Sequence, residues 1–259
     1  MSSQRKVIDI RGRLLGGPKP LICCSLMGRS AERIAVEARN TLARGADVLE
    51  WRIDLFDGIG DVQAVLQTAR GLRAAIGDTP LIFTRRPVAD AGQPIAIDDT
   101  AVLRLYDKVA AAGLVDILEF ELHGTPSHVR RAREIASRHG AQLMLSYHNH
   151  ESTPDTGELV DLFEEGERQM ADVVKIAVMP RVRDDVLNLL IATARADASL
   201  GIPVISMSMG ALGAITRMVG NAFGSAMAFA VGETRSAPGQ LPLADLKAVF
   251  EVLQRTREA

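Results

Sequence analysis

Cysteine is scarce: the 259 residues hold two, and they are neighbours, Cys23 and Cys24. They sit inside an apolar run, where adjacent side chains of a strand point to opposite faces. They read as reduced core thiols, not as a disulfide framework, and the expected setting is the cytoplasm. Long apolar runs are missing too. None approaches the ~20 residues that a membrane helix needs. The first residues, "MSSQRKVIDI", lack the apolar stretch and small-residue cleavage site of a signal peptide. Nor is one sign of charge in excess: 30 Lys and Arg against 32 Asp and Glu give a formal net charge of -2. A nucleic-acid partner would leave a basic patch or stripe, so none is expected, and no membrane partner either.

What is present is a globular composition, 47% hydrophobic and 24% charged. Short apolar runs alternate with amphipathic stretches from end to end. The runs cover 20–26, 47–53, 80–85, 115–122, 142–148, 173–178, 203–209 and 226–231. The stretches between them carry helix punctuation. Ser30 is a plausible N-cap, Gly77 and Gly140 follow the ends of two stretches, and Thr125-Pro126 opens another. This is the βα repeat of a parallel sheet. Eight units in a chain of this size fit a single-domain (β/α)8 TIM barrel over 1–259. A doubly wound sheet is the alternative, but "SLMGRSAERI" is a poor match to its Gly-rich phosphate turn. The piece before the first strand, 1–19, has a Gly-Gly turn between short apolar runs. It reads as a hairpin extension closing the bottom of the barrel.

Charge lies inside three of the strands. In "DVVKIAVMP" (172–180), Lys175 interrupts a run that reads as buried on both faces. Residues two apart share a face. Val174 and Ile176 then face the helices and Lys175 faces inward, as do Glu50 and Arg52 in "VLEWRI" and Glu119 and Glu121 in "ILEFEL". Arg86, His148, Met207, Met209 and Arg217 fall near the same C-terminal rim, where barrel active sites sit. Taken singly, Glu50 with Arg52 reads equally as a structural ion pair, and Lys175 as a lysine reaching for water. His148, His150 and Glu151 are a weak metal signal, and no metal is expected. The gathering at one rim is the stronger signal.

A lysine among Arg52, Arg86 and Arg217 in a partly dry pocket has its charged form disfavoured. A neutral lysine amine attacks ketones to form a Schiff base, and a histidine such as His148 can then take a proton from the adjacent carbon. Glu121 is placed to orient that imidazole. A rim arginine implies a carboxylate on the substrate.

The chain resembles the type I 3-dehydroquinate dehydratases. The likeness rests on "SLM" (25–27), "EWRID" (50–54), "FTRR" (83–86), "GLVDILEFEL" (113–122), "SYHN" (146–149), "KIAVMP" (175–180), "SMSMGALGAITRMVGNAFGS" (206–225) and "SAPGQ" (236–240). The resemblance implies a (β/α)8 homodimer that uses no metal or organic cofactor. It implies a shikimate-pathway reaction, conversion of 3-dehydroquinate to 3-dehydroshikimate by syn elimination through an imine on Lys175. By the same resemblance His148 is the base and Glu121 orients it, and Arg217 binds the C1 carboxylate. Glu50, Arg52 and Arg86 hold ring hydroxyls with Ser25 at their edge, and Met207 and Phe229 line the ring pocket. Ser236 and Gln240 belong to a lid. Two positions depart from the pattern: Glu119 stands where an Asp is usual, and Tyr147 where a small polar residue is. Two other readings remain open on the residues alone: a class I aldolase acting on a sugar phosphate, and a silent small-molecule binder.

Overall fold

The computed structural model describes residues 7–255. The first six and last four residues, parts of the expected extension and of the closing helix, lie outside the described residues. A two-stranded antiparallel hairpin, β1 (Ile8–Ile10) and β2 (Arg13–Leu15), precedes the barrel. The barrel strands are β3 (Leu21–Leu26), β4 (Val48–Arg52), β5 (Leu81–Thr84), β6 (Ile117–Glu121), β7 (Gln142–Asn149), β8 (Val173–Val178), β9 (Val204–Ser208) and β10 (Met227–Ala230). From β3 to β9 each pairs in parallel with the next, and β10 pairs in parallel with β3. The β9–β10 seam is narrow, held by Ala226 N–H donating to Val204 O at 2.8 Å. All eight apolar runs are strands, so the barrel reading holds and the doubly wound alternative falls.

Helices α1 (Ala31–Ala43), α2 (Val62–Ile76), α3 (Asp99–Ala111), α4 (Pro126–His139), α5 (Thr156–Arg168), α6 (Arg183–Ser199), α7 (Gly210–Val219) and α8 (Leu243–Arg255) surround the strands. Their ends follow local chemistry. The Ser30 hydroxyl accepts from the Arg33 N–H at 3.3 Å, and Gly77 and Gly140 terminate α2 and α4 at φ of 54° and 70°. The outward strand side chains, among them Leu49, Trp51, Leu118 and Val174, pack with the helices in one apolar cluster. The inward ones form a second cluster that includes Cys23, Val48, Ile82, Ile117 and Val173, and Ile8, Ile10 and Leu15 of the hairpin join it. The hairpin thus packs against the barrel floor. Its turn is Arg11-Gly12, not Gly16-Gly17 as the sequence led us to expect. Both turn residues have positive φ, 50° and 80°, which a two-residue hairpin turn needs, and Asp9 accepts from Gly12 N–H at 2.7 Å.

Above that floor the interior turns polar. Strand alternation carries Glu50, Arg52, Thr84, Glu119, Ser146 and Lys175 into the barrel, and all six are buried.

Candidate active site

At the C-terminal rim lies a cavity of about 190 Å³. Lys175, His148, Glu50, Arg52 and Arg86 line its base, Met207, Phe229 and Arg217 its side, and Ser25, Ser236 and Gln240 its upper edge. Every expected site residue but Glu121 lines it. Glu121 stands behind His148, its Oε2 at 3.6 Å from the imidazole Nδ1.

Lys175 is not ringed by guanidinium groups, as its sequence neighbourhood implied. Its Nζ donates to both oxygens of Glu119 at 3.1 Å and lies 3.6 Å from Glu50 Oε1, with the Phe229 ring centre at 4.2 Å. Glu119 carries the arrangement. One oxygen also accepts from Arg86 Nη2, the other from Thr84 Oγ1. Burial alone would raise the Glu119 pKa, but Arg86 and Lys175 hold it well below the usual carboxylate range. The longer arm of Glu therefore reaches its partners. The Glu50–Arg52 ion pair, the structural alternative for these two residues, is not made. Arg52 forms a two-pronged bridge with Asp54 at 2.8 and 2.7 Å, and Glu50 instead accepts from Ser25 and Thr84. Asp54 also accepts from the Arg86 and Gln93 N–H groups at 3.2 Å, which fixes the chain leaving β5.

His148 is held by that same chain. Arg86 Nη1 lies 3.0 Å from His148 Nδ1 and 2.7 Å from Glu121 Oε1. Burial first, then the charges of Arg86 and Lys175, push the imidazole pKa well below its ordinary value. A neutral imidazole can accept a proton. Nδ1 faces Arg86, which can only donate to it, and lies 3.6 Å from Glu121 Oε2, so the tautomer decides which ring nitrogen takes the proton. His150, read as a loop or supporting residue, also lines the cavity, its ring stacked on His148 at 6.3 Å.

Sequence reasoning missed Asp90. It sits on a short helical turn, Val88–Asp90, after β5, where no strand alternation points to it. Its only sequence signal is an acid four residues beyond Arg86. Asp90, Glu121 and His148 place ligand atoms within 4.8 Å of one another, the spacing of a metal site. The Arg86 guanidinium already sits against two of them, so a positive charge occupies that corner. His148, His150 and Glu151 do not form a cluster among the described residues. Burial, then Glu121, raises the Asp90 pKa to about 6. A carboxyl whose folded pKa is raised favours folding at low pH and loses that contribution as pH climbs through about 6. Asp90→Asn should therefore raise the melting temperature at pH 8 and converge on the parent near pH 4, as calorimetry across that range would read.

Arg217, on α7, is buried. Its guanidinium reaches only Met207 Sδ and Phe229 O at 3.3 Å and Pro238 O at 3.4 Å, and its Nε has no partner. Burial lowers its pKa to about 10. Among the described residues no carboxylate pairs with it. Pro238 belongs to the loop over the cavity. Ser236 Oγ donates to Ser25 Oγ at 3.0 Å, and Gln240 Oε1 accepts from the Ser236 and Ala237 N–H groups at 2.9 and 3.3 Å. Gly239 is needed there: at φ 77°, a Cβ would lie 2.2 Å from Gly210 O.

The family model for type I 3-dehydroquinase matches residues 22–257, which reaches every barrel strand and helix described. The chain belongs to the type I 3-dehydroquinase family. A 3-dehydroquinate dehydratase of Aromatoleum aromaticum is 42% identical over 250 residues, 96% of both chains. The crystal structure of 3-dehydroquinate dehydratase from Geobacillus kaustophilus superposes with a TM-score of 0.92 at 40% identity, covering 98% of this chain and 99% of that one. The type I enzyme from Clostridium difficile, solved with covalent modified comenic acid, gives 0.94 at 31% identity over 98% and 100%. The type I 3-dehydroquinase barrel accounts for the fold.

Proposed function

We propose that this chain converts 3-dehydroquinate to 3-dehydroshikimate, in the shikimate pathway, through an imine on Lys175. The observation that carries this reading is Arg217: a buried cation that pairs with no carboxylate among the described residues, in the same small cavity as a lysine and a neutral histidine. A keto acid satisfies all three. Its carboxylate meets Arg217 and its ketone meets Lys175. The relative solved with a covalently modified acid supports the same chemistry.

Lys175 hands a proton to its neighbours and its amine attacks the C3 ketone. Loss of water gives the iminium, which makes the adjacent C2 proton acidic. His148 removes that proton, and the electrons expel the C1 hydroxyl as His148 returns the proton to it. Water then releases product and restores the amine. Glu121 and Arg86 hold the imidazole from behind. Glu50, Arg52 and Arg86 receive the ring hydroxyls, and the Ser236–Gln240 loop excludes bulk water. No cofactor takes part. The buried, high-pKa thiols of Cys23 and Cys24 fit a reducing cytoplasm. Leu187 and Ile191 on α6 and Leu212 and Ile215 on α7 are exposed, and the two helices pack on one another; these are the apolar residues a homodimer would cover.

The aldolase reading needs a phosphate cradle near the loop after β10. Two backbone N–H groups there, those of Ser236 and Ala237, are already taken by Gln240. The deciding experiment mixes protein with 3-dehydroquinate and borohydride and maps the modified peptide by mass spectrometry. A reduced adduct on Lys175 is expected; product without any adduct would overturn the imine.

Arg217→Met should raise KM by roughly 30- to 4,000-fold, from about 2–5 kcal/mol for truncating one partner of a buried charge pair. The same change should raise the melting temperature of the unliganded protein, because it removes an uncompensated buried charge. An unaltered KM would refute the carboxylate clamp.

A further inference from the structure

A second cavity, of about 420 Å³, lies beside the catalytic one, and His148 and Asp90 line both. Its inner end is polar, formed by Asp90, Glu121 and Ser146. Its outer end passes Ala89 and Thr125, both exposed. It adjoins the Nδ1 side of His148, where Glu121 and Arg86 gather. The catalytic cavity is smaller, about 190 Å³, and is bounded above by the docked 236–240 loop.

The imine route moves water three times. Carbinolamine collapse expels one molecule, elimination expels a second, and imine hydrolysis consumes one, so one leaves per turnover. A ring acid filling the catalytic cavity under the loop blocks the direct way past itself. We infer that the second cavity is a water chamber, serving the imine carbon from the His148 side; this rests on the imine reading above. A cavity holds ordered water when it is roomy and offers two to four polar partners. Asp90, Glu121 and Ser146 supply them. In hydrolysis, water from the chamber adds its oxygen to the imine carbon and passes one proton to His148. His148 gives that proton to the carbinolamine nitrogen. The C–N bond then breaks as the hydroxyl proton passes to His148 and the carbonyl re-forms, and Lys175 leaves as the amine, free to take the proton back from His148. No redox partner is required.

Bulk at the chamber mouth tests this without touching the catalytic groups. Thr125 precedes α4 and its side chain caps no N–H, so Thr125→Trp spares the helix. Ala89→Phe is an independent second block, and Thr125→Ser the control. Each variant turns over excess 3-dehydroquinate and is stopped with borohydride at steady state. The Lys175 peptide is then weighed. The product-derived adduct is lighter than the substrate-derived one by one water. Both blocking variants should lose kcat severalfold and accumulate the lighter adduct, while Thr125→Ser behaves as the parent. Unchanged kcat and an unchanged adduct ratio in both would overturn the chamber and leave the imine standing. No adduct in the parent protein would overturn the imine and the chamber with it.

Discussion

Lys175→Ala is expected to abolish turnover and the trapped adduct together. No other amine lines the catalytic cavity among the described residues. Without one the ketone cannot become an iminium, and the C2 proton stays weakly acidic. The loss should be on the order of 10⁶-fold, the scale seen when a nucleophile that works as a unit with its base is removed. The variant also changes the free protein. Glu119 and Glu50 both accept from Thr84 Oγ1 at 3.1 Å, and Lys175 is the cation that touches both. Truncating it leaves Arg86 to hold Glu119 alone, and breaking such a buried pair costs about 3–5 kcal/mol. A denaturation midpoint measured beside the assay separates lost chemistry from lost fold. A folded variant turning over at the parent rate would place the nucleophile elsewhere.

His148→Ala should keep the adduct and lose most of the turnover, ~10²–10⁴-fold. The trapped species should be the heavier, substrate-derived one, since elimination is the step deprived of its base. The parent's pH profile bears on the same point. A folded imidazole pKa held below the ordinary value keeps His148 neutral under mildly acidic conditions. The acid limb of kcat/KM, which reports the free protein, should therefore fall below the usual histidine range. The linkage has a definite sign: folding gains from this neutral imidazole above the unfolded pKa, and the gain is lost as pH falls. His148→Gln should flatten that part of the stability curve. A turnover within tenfold of the parent would move the base to another residue.

The strands were legible because alternation is a strong local signal. Lys175 between Val174 and Ile176 had to face inward once its neighbours faced helices. Facing is only half of a barrel position, however. Height depends on how the strands are staggered around the axis, and that is a property of closure rather than of any one segment. Which of two inward acids on β6 meets Lys175 was therefore hidden, and so was the exchange of partners that gives Arg52 to Asp54. Asp90 was invisible for another reason: it lies on a loop, where no period applies. The hairpin turn was misplaced because two glycines drew attention from Arg11-Gly12, where a non-glycine residue takes a positive φ. The resemblance gave nearly the whole cavity lining; it did not convey the carboxylate partners of the lysine.

Where Gly239 meets Gly210, the loop rests on backbone alone, with no room for even a methyl group. A contact of that kind has no graded variants. Side-chain changes elsewhere on a loop shift its contacts in small steps, but here any substitution must move backbone. Selection for a faster or slower lid in this chain is left with loop length and with the Ser236 and Gln240 hydrogen bonds as its adjustable parts.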